Sequence, residues 1–286
     1  MNRSIKFDKL HLLLLPSIAG LGLFYVAPFF LSIYYMLIDN AMSRRFVGLH
    51  NLIDTWNNQA FALGARNTLI FMSTSIPLII GLALIFALML RSLPVVARRI
   101  LMIAFLLPLV IPSASVTFFW DRMLALNGVI NRFWVPFTGA TPFNWLNIDY
   151  AMIFVVLIFI WKNVGFNIIL FMAGLELIPK DYYEYASIEG TGKIRCFFMI
   201  TLTYLAPTFL MVFLLSIVNS FKVFREIFLL TGTHPNSSIY MLQHFLNNQF
   251  ENLNYQRMAS ASFFIFVFVF IIVMVLYKWQ QQQTYW

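Results

Sequence analysis

Leu177-Ile178-Pro179-Lys180-Asp181-Tyr182-Tyr183-Glu184-Tyr185-Ala186-Ser187-Ile188-Glu189-Gly190-Thr191-Gly192 is a polar stretch held between two long apolar runs, 151–173 and 197–219. Pro179 suits the entry of a helix, where a missing N–H removes no bond, and Asp181 sets a negative charge at the positive end of the helix dipole. The spacing predicts a short helix to about Ile188. Gly190 then suits a left-handed stop, Gly192 keeps the turn open, and a second helix leads into the next apolar run. Ala186, Ser187 and Gly190 are small enough for another surface to approach closely. Tyr185 and Ile188 supply an apolar anchor, and Glu184 and Glu189 supply polar registration. Such a helix–turn–helix fits a groove on a partner protein.

The apolar runs on either side recur along the chain. Of 286 residues, 61% are apolar and 10% are charged, with a mean hydropathy of +0.80. A soluble domain carries about 25% charged residues, so this chain has too few to coat a water-facing globule. Six runs approach the roughly 20 residues that cross a bilayer as a helix: 10–36, 68–90, 101–120, 151–173, 197–219 and 259–277. The expected fold is an all-α membrane protein of six transmembrane helices, formed by one domain over residues 1–286. The first run follows Arg3, Lys6 and Lys9 as a signal peptide would. Its apolar core is longer than a signal peptide's and no small-x-small cleavage site follows, so it reads as a retained helix. Ten of the 19 lysines and arginines fall in segments 1–9, 91–100, 174–196 and 278–286, and Lys9, Arg91, Arg98, Arg99 and Arg195 sit at span ends. The positive-inside rule then puts both termini and the 174–196 loop in the cytoplasm. Pro108 and Pro112 in the third run and Pro207 in the fifth predict kinks.

Several chemistries are excluded or weakened. The net charge of +8 is dispersed in short clusters, which suits the membrane surface and not a nucleic-acid stripe. A lone Cys196 forms no intrachain disulfide, and His11, His50, His234 and His244 show no ligand spacing. Gly190-Thr191-Gly192-Lys193 imitates the end of a phosphate-binding loop. Ser187 stands where the first glycine belongs, Ile194 follows the lysine, and an apolar helix precedes it where a strand is needed. This chain itself is not expected to bind ATP.

The 177–207 region resembles the "EAA" motif of ATP-binding-cassette importer permeases through Glu184, Ala186, Gly190, Ile200, Leu202 and Pro207. Tyr185 replaces the first alanine, Glu189 the usual aspartate, and Thr203 stands where proline is common. Leu15-Pro16 through Pro28-Phe29, Trp161 to Asn167, Gly174-Leu175-Glu176, Phe221 to Phe224, Leu229 to Gly232 and the 255–262 stretch are similar to carbohydrate-uptake permeases. The resemblance covers nearly the whole chain, in the six-span form without an added N-terminal hairpin. It implies a type I importer permease fold in a bacterial cytoplasmic membrane. It further implies a second six-span permease as heterodimer partner and two cytoplasmic ATPase subunits that bind ATP and magnesium. An extracellular or periplasmic sugar-binding protein and an oligosaccharide moved by alternating access complete the implied machine. Glu184, Tyr185, Ala186, Ser187, Ile188, Glu189, Gly190 and Gly192 would dock the ATPase.

Lys162 is the one charged residue within the six runs. An intramembrane charge lines a cavity or is paired internally, and no carboxylate within the runs is there to neutralise it. Asn163 and Asn167 share a helix face, Phe166 adjoins it, and Ser216, Asn219, Ser220 and Lys222 close the fifth run. Sugar pockets combine such amides and hydroxyls with an aromatic surface, and these stretches look like the segments where the family's larger permease meets sugar. Interhelical hydrogen bonding is the competing use of the same residues. Lys162, Lys222 and Arg225 would favour an acidic oligosaccharide if they face the substrate. Trp134, Trp145 and Trp279 fit interface belts. Other readings are import of a polyol or glycerol phosphate by the same architecture, or a secondary transporter. The latter would carry coupling carboxylates and an inverted repeat, neither of which is visible. An intramembrane enzyme would need paired acids, a Ser/His set or a metal cluster within the spans.

Overall fold

The structure is a computed structural model that describes residues 14–40 and 42–284, with side chains as far as Lys278. It is helical almost throughout. The helices are α1 (Leu15–Leu37), α2 (His50–Trp56), α3 (Gln59–Arg91), α4 (Val95–Val110), α5 (Ser113–Leu124), α6 (Val129–Thr138) and α7 (Ala151–Glu176). They continue as α8 (Lys180–Ile188), α9 (193–222), α10 (Phe224–Thr231), α11 (Leu242–Glu251) and α12 (Tyr255–Thr284). Two compact units result. One takes the described part of 1–62 with 246–270, the other 63–245 with the residues from Ile271 onward.

In the first unit, α1 runs through a π turn at Gly22–Val26 and buries only Met36. Residues 10–13 of the expected first span and Trp279's side chain lie outside the described residues. Asn51 ties the end of α1 by donating to the carbonyls of Met36 and Ile38, at 2.9 and 2.7 Å. Phe264 packs against Trp56 and Phe61, and Arg257 pairs with Asp54.

The second unit is built around α7. That helix is apolar on every side, which suits a helix surrounded by others. Phe159, Ile168, Phe171 and Leu175 are fully buried there with Phe71, Ile79, Leu205 and Val212 of α3 and α9. Two glycines let its neighbours come close. A Cβ on Gly165 would stand 1.9 Å from the Phe105 carbonyl oxygen of α4, and one on Gly174 would stand 2.4 Å from Thr208 Oγ1 of α9.

Among the described residues five helices are long and apolar enough to cross a membrane, and a sixth span counts only as a bent pair. The third run, 101–120, in which Pro108 and Pro112 predict kinks, is bent sharply at the second of them. α4 begins at Val95, ends at Val110, and the chain then turns by 93°. Pro112 forces Ile111 into the extended conformation (φ −64°, ψ 131°) because its ring clashes with a helical predecessor. Pro108 and Pro207 sit inside helices that continue past them. Beyond α5, Asn131 is the buried centre of a small cluster. Its amide donates to the carbonyls of Leu126 and Phe143 and accepts from the Trp145 indole. Trp145 is therefore a core residue here, correcting its expected place in an interface belt. Trp134, whose ring meets it at 5.5 Å, stays largely exposed.

Candidate functional site

Two places on α7 carry the candidate residues. The first is the loop below its C-terminal end. Pro179 (φ −58°, ψ 137°) precedes α8, as the sequence predicts. At the other end Gly190 is left-handed at φ +71°. Its N–H donates to the Ser187 carbonyl at 3.1 Å, and the Thr191 N–H donates to the Ala186 carbonyl at 2.9 Å. This is the Schellman closure of a helix, and it satisfies carbonyls that would otherwise lack donors. Gly192 (φ −67°, ψ 154°) starts α9.

α8 has two faces. Tyr183 points inward, its hydroxyl 2.9 Å from Thr201 Oγ1 of α9 and 3.4 Å from Arg91 of α3, whose guanidinium also lies over the ring. The Tyr182 ring meets that of Tyr204 at 5.1 Å. Ala186 is half-buried on the inner side. Glu184, Tyr185, Ser187, Ile188, Glu189, Gly190 and Gly192 are exposed, with Ile188 81% exposed. The sequence reading names this outer set together with Ala186 and misses the inner anchors Tyr183, Thr201 and Arg91. Tyr183 and Ala186, three apart and thus on one face, were the available signal.

The second place is a cavity of about 310 Å3 where α7, the break between α4 and α5, and the junction of α9 with α10 converge. Its wall includes Ser113, Lys162, Asn163, Asn219, Lys222, Arg225 and Glu226, with Phe159 and Pro112 among the apolar members. Lys162 Nζ forms an ion pair with Glu226 Oε1 and donates to Ser113 Oγ at 3.0 Å. Ser113 Oγ donates in turn to Glu226 Oε1 at 2.9 Å. No carboxylate within the six runs neutralises Lys162, but Glu226, seven residues beyond the fifth run, does. The fifth apolar run does not end at Asn219. It continues through Val223 into α10, which turns Glu226 toward α7. Val223, Glu226, Ile227 and Leu230 share a helical face, so an acid on an apolar face was the overlooked signal.

The other expected pocket residues divide. Asn163 lines the cavity with its amide donating to the Phe159 carbonyl at 2.9 Å. Asn219 lines it and accepts from Lys222 Nζ at 3.0 Å. Asn167 and Ser216 are buried and bond each other across α7 and α9 at 3.2 Å. Ser220 donates to the Ile217 carbonyl of its own helix, and Phe166 is half-buried away from the cavity wall. Among the described residues no three His, Cys, Asp or Glu side chains gather as a metal site.

Comparison with known proteins gives this geometry a setting. Residues 79–284 match the family described as "Binding-protein-dependent transport system inner membrane component". The chain is 28% identical over 253 residues to the lactose transport system permease protein LacF of Rhizobium radiobacter, covering 87% of this chain and 84% of that one. It is 28% identical over 232 residues to the trehalose/maltose transport system permease protein MalF of Thermococcus litoralis, covering 80% and 78%. A chain of a bacterial ABC transporter involved in import of the acidic polysaccharide alginate superposes with a TM-score of 0.82 at 20% identity, over 96% of this chain and 95% of that one, which is a likeness of fold. A family match over most of the chain, an importer-permease fold and long apolar helices agree. The chain belongs to the family of inner-membrane components of binding-protein-dependent transport systems.

Proposed function

We propose that this chain is the substrate-translocating permease subunit of an ATP-driven importer of oligosaccharides, working by alternating access. The observation that carries the reading is its similarity, over most of both chains, to permeases named for lactose and for trehalose and maltose. The cavity beside α7, walled by amides, a hydroxyl and a part-buried ion pair, supports it. Residues 1–286 read as one permease domain of six spans with both termini in the cytoplasm. The α4–α5 pair then serves as the third span.

In this reading α8 is the coupling helix. Its exposed face, Glu184, Tyr185, Ser187, Ile188 and Glu189, lies in a groove of a cytoplasmic ATPase subunit, which holds ATP and magnesium. Ala186, Gly190 and Gly192 keep the approach close. Tyr183 roots the helix on α3 and α9, so closure of the ATPase pair moves those helices as well. ATP favours one of two global states and this contact transmits the bias. A second permease and a sugar-binding protein complete the assembly.

The test is uptake in a strain lacking only this gene, offered neutral oligosaccharides, uronate oligosaccharides and glycerol 3-phosphate. ATP-dependent uptake of one oligosaccharide is lost and returns with the gene. Survival of all oligosaccharide uptake overturns the assignment, and loss of glycerol 3-phosphate uptake alone redirects it.

A further inference from the structure

We infer that Glu226 determines the substrate class of the cavity: with Lys162 it forms a charge-neutral subsite for adjacent hydroxyls of an uncharged sugar ring. The inference rests on reading this cavity as the translocation path.

Glu226 is 4% exposed, yet it lines the cavity together with half-buried Lys162. Glu226 Oε1 receives both Lys162 and Ser113. Among the described residues Oε2 has no hydrogen-bond partner. Lysine has three N–H donors, of which Glu226 and Ser113 take two. The pair therefore retains one acceptor and one donor. Two neighbouring sugar hydroxyls can supply the complement, one donating to the carboxylate and one accepting from the ammonium. Charge-assisted bonds of this kind are the stronger ones.

A uronate carboxylate at the same place would meet Glu226 and be repelled in a site of low dielectric, where such repulsion is least screened. Lys222 and Arg225 also line the cavity, and they bear on the question of an acidic substrate. Both are exposed, and Lys222 donates to Asn219. Exposed charges are screened by salt and water, so the pair of buried Glu226 and half-buried Lys162 dominates discrimination. Specificity of this type follows from hydrogen-bonding groups that would be left unpaired by the wrong substrate.

The experiment uses the assembled transporter. Import kinetics are measured for the neutral oligosaccharide carried by the wild type, with trigalacturonate as competitor. Glu226→Gln raises KM about 10-fold or more, the size expected for loss of a charge-assisted bond, and trigalacturonate becomes an inhibitor because Lys162 is unmasked. Glu226→Asp recovers part of the affinity. A Lys162→Met and Glu226→Gln double variant keeps the raised KM and loses the inhibition by trigalacturonate. The double variant leaves no unpaired charge, so it remains informative if Glu226→Gln assembles poorly. An unchanged KM in an active importer overturns the inference and leaves the proposed function standing. So does a wild type that carries trigalacturonate in place of neutral sugars. If no oligosaccharide uptake depends on the gene, the proposed function fails and this inference fails with it.

Discussion

The loop below α7 and the cavity beside its middle are built by opposite means. The loop's shape comes from residues next to each other: Pro179 opens α8, Gly190 closes it, and Gly192 starts α9. The cavity's charge balance comes from residues far apart in the chain. Ser113, Lys162 and Glu226 meet only because α7 packs against both the α4–α5 break and α10. Local rules therefore govern the loop, while packing governs the cavity. Damage to packing should disable the cavity, whereas damage to the loop should leave an assembled but uncoupled protein.

The largest expected effect breaks the packing side. Gly165→Leu puts a side chain where a Cβ alone meets the Phe105 carbonyl oxygen at 1.9 Å. Overpacking of this severity costs about 3 kcal/mol or more. The yield of assembled complex on size exclusion should collapse, and a normal yield would refute the close crossing.

Next is a pH effect near α10. His244 is buried against Phe224, the first residue of that helix, with ring centroids 4.8 Å apart. Burial pushes its pKa down from 6.5 to about 4. The unfolded chain takes up this proton at higher pH than the folded one. Stability is thus complete above pH 6.5 and is lost as pH falls toward 4, by up to about 3 kcal/mol. The melting temperature of the purified complex should drop between pH 7 and pH 5, and less so in His244→Asn.

The loop side is sharpened by a pair of glycines. Gly190→Leu forces a side chain into φ +71°, a strain of about 1–2 kcal/mol. It also adds bulk at the exposed end of α8, the face proposed to dock the ATPase. Transport should be abolished while the complex still reaches the membrane. Gly192→Ala, at φ −67° with open space around it, should leave both nearly unchanged. Equal damage from the two would refute the reading of the turn. Smallest is Tyr183→Phe, which removes the hydroxyl shared by Thr201 and Arg91, worth about 1 kcal/mol. It should lower the transport-coupled ATPase rate a few-fold at normal assembly.

The same contrast explains what could be read in advance. The long helices were legible because a bilayer demands unbroken apolar runs, and the Gly190 stop because only a few residues tolerate that backbone. The bend in the third run was legible from Pro112, but its size was not, because the proline ends one helix and starts the next, turning the chain by 93°. Glu226 was invisible because span five was assumed to stop at Asn219, so no acid was counted near Lys162. Asn163, Asn167, Ser216 and Ser220 carry polar atoms suited to a sugar. Nothing in the linear spacing tells which are already bonded to protein, as Asn167 is to Ser216.

The bare crossing of α4 and α7 at Gly165 also limits what movements are open to them. With no side chain between the two backbones, the contact behaves as a fulcrum. Sliding α7 along α4 by one turn, about 5.4 Å, would carry Trp161 or Ile169 to the point where even a methyl group has no room. Rocking about the same point keeps the glycine in place. These helices are left with an angular freedom and denied an axial one, so a rocking α7 would tilt the part of the cavity wall that carries Lys162 and Asn163.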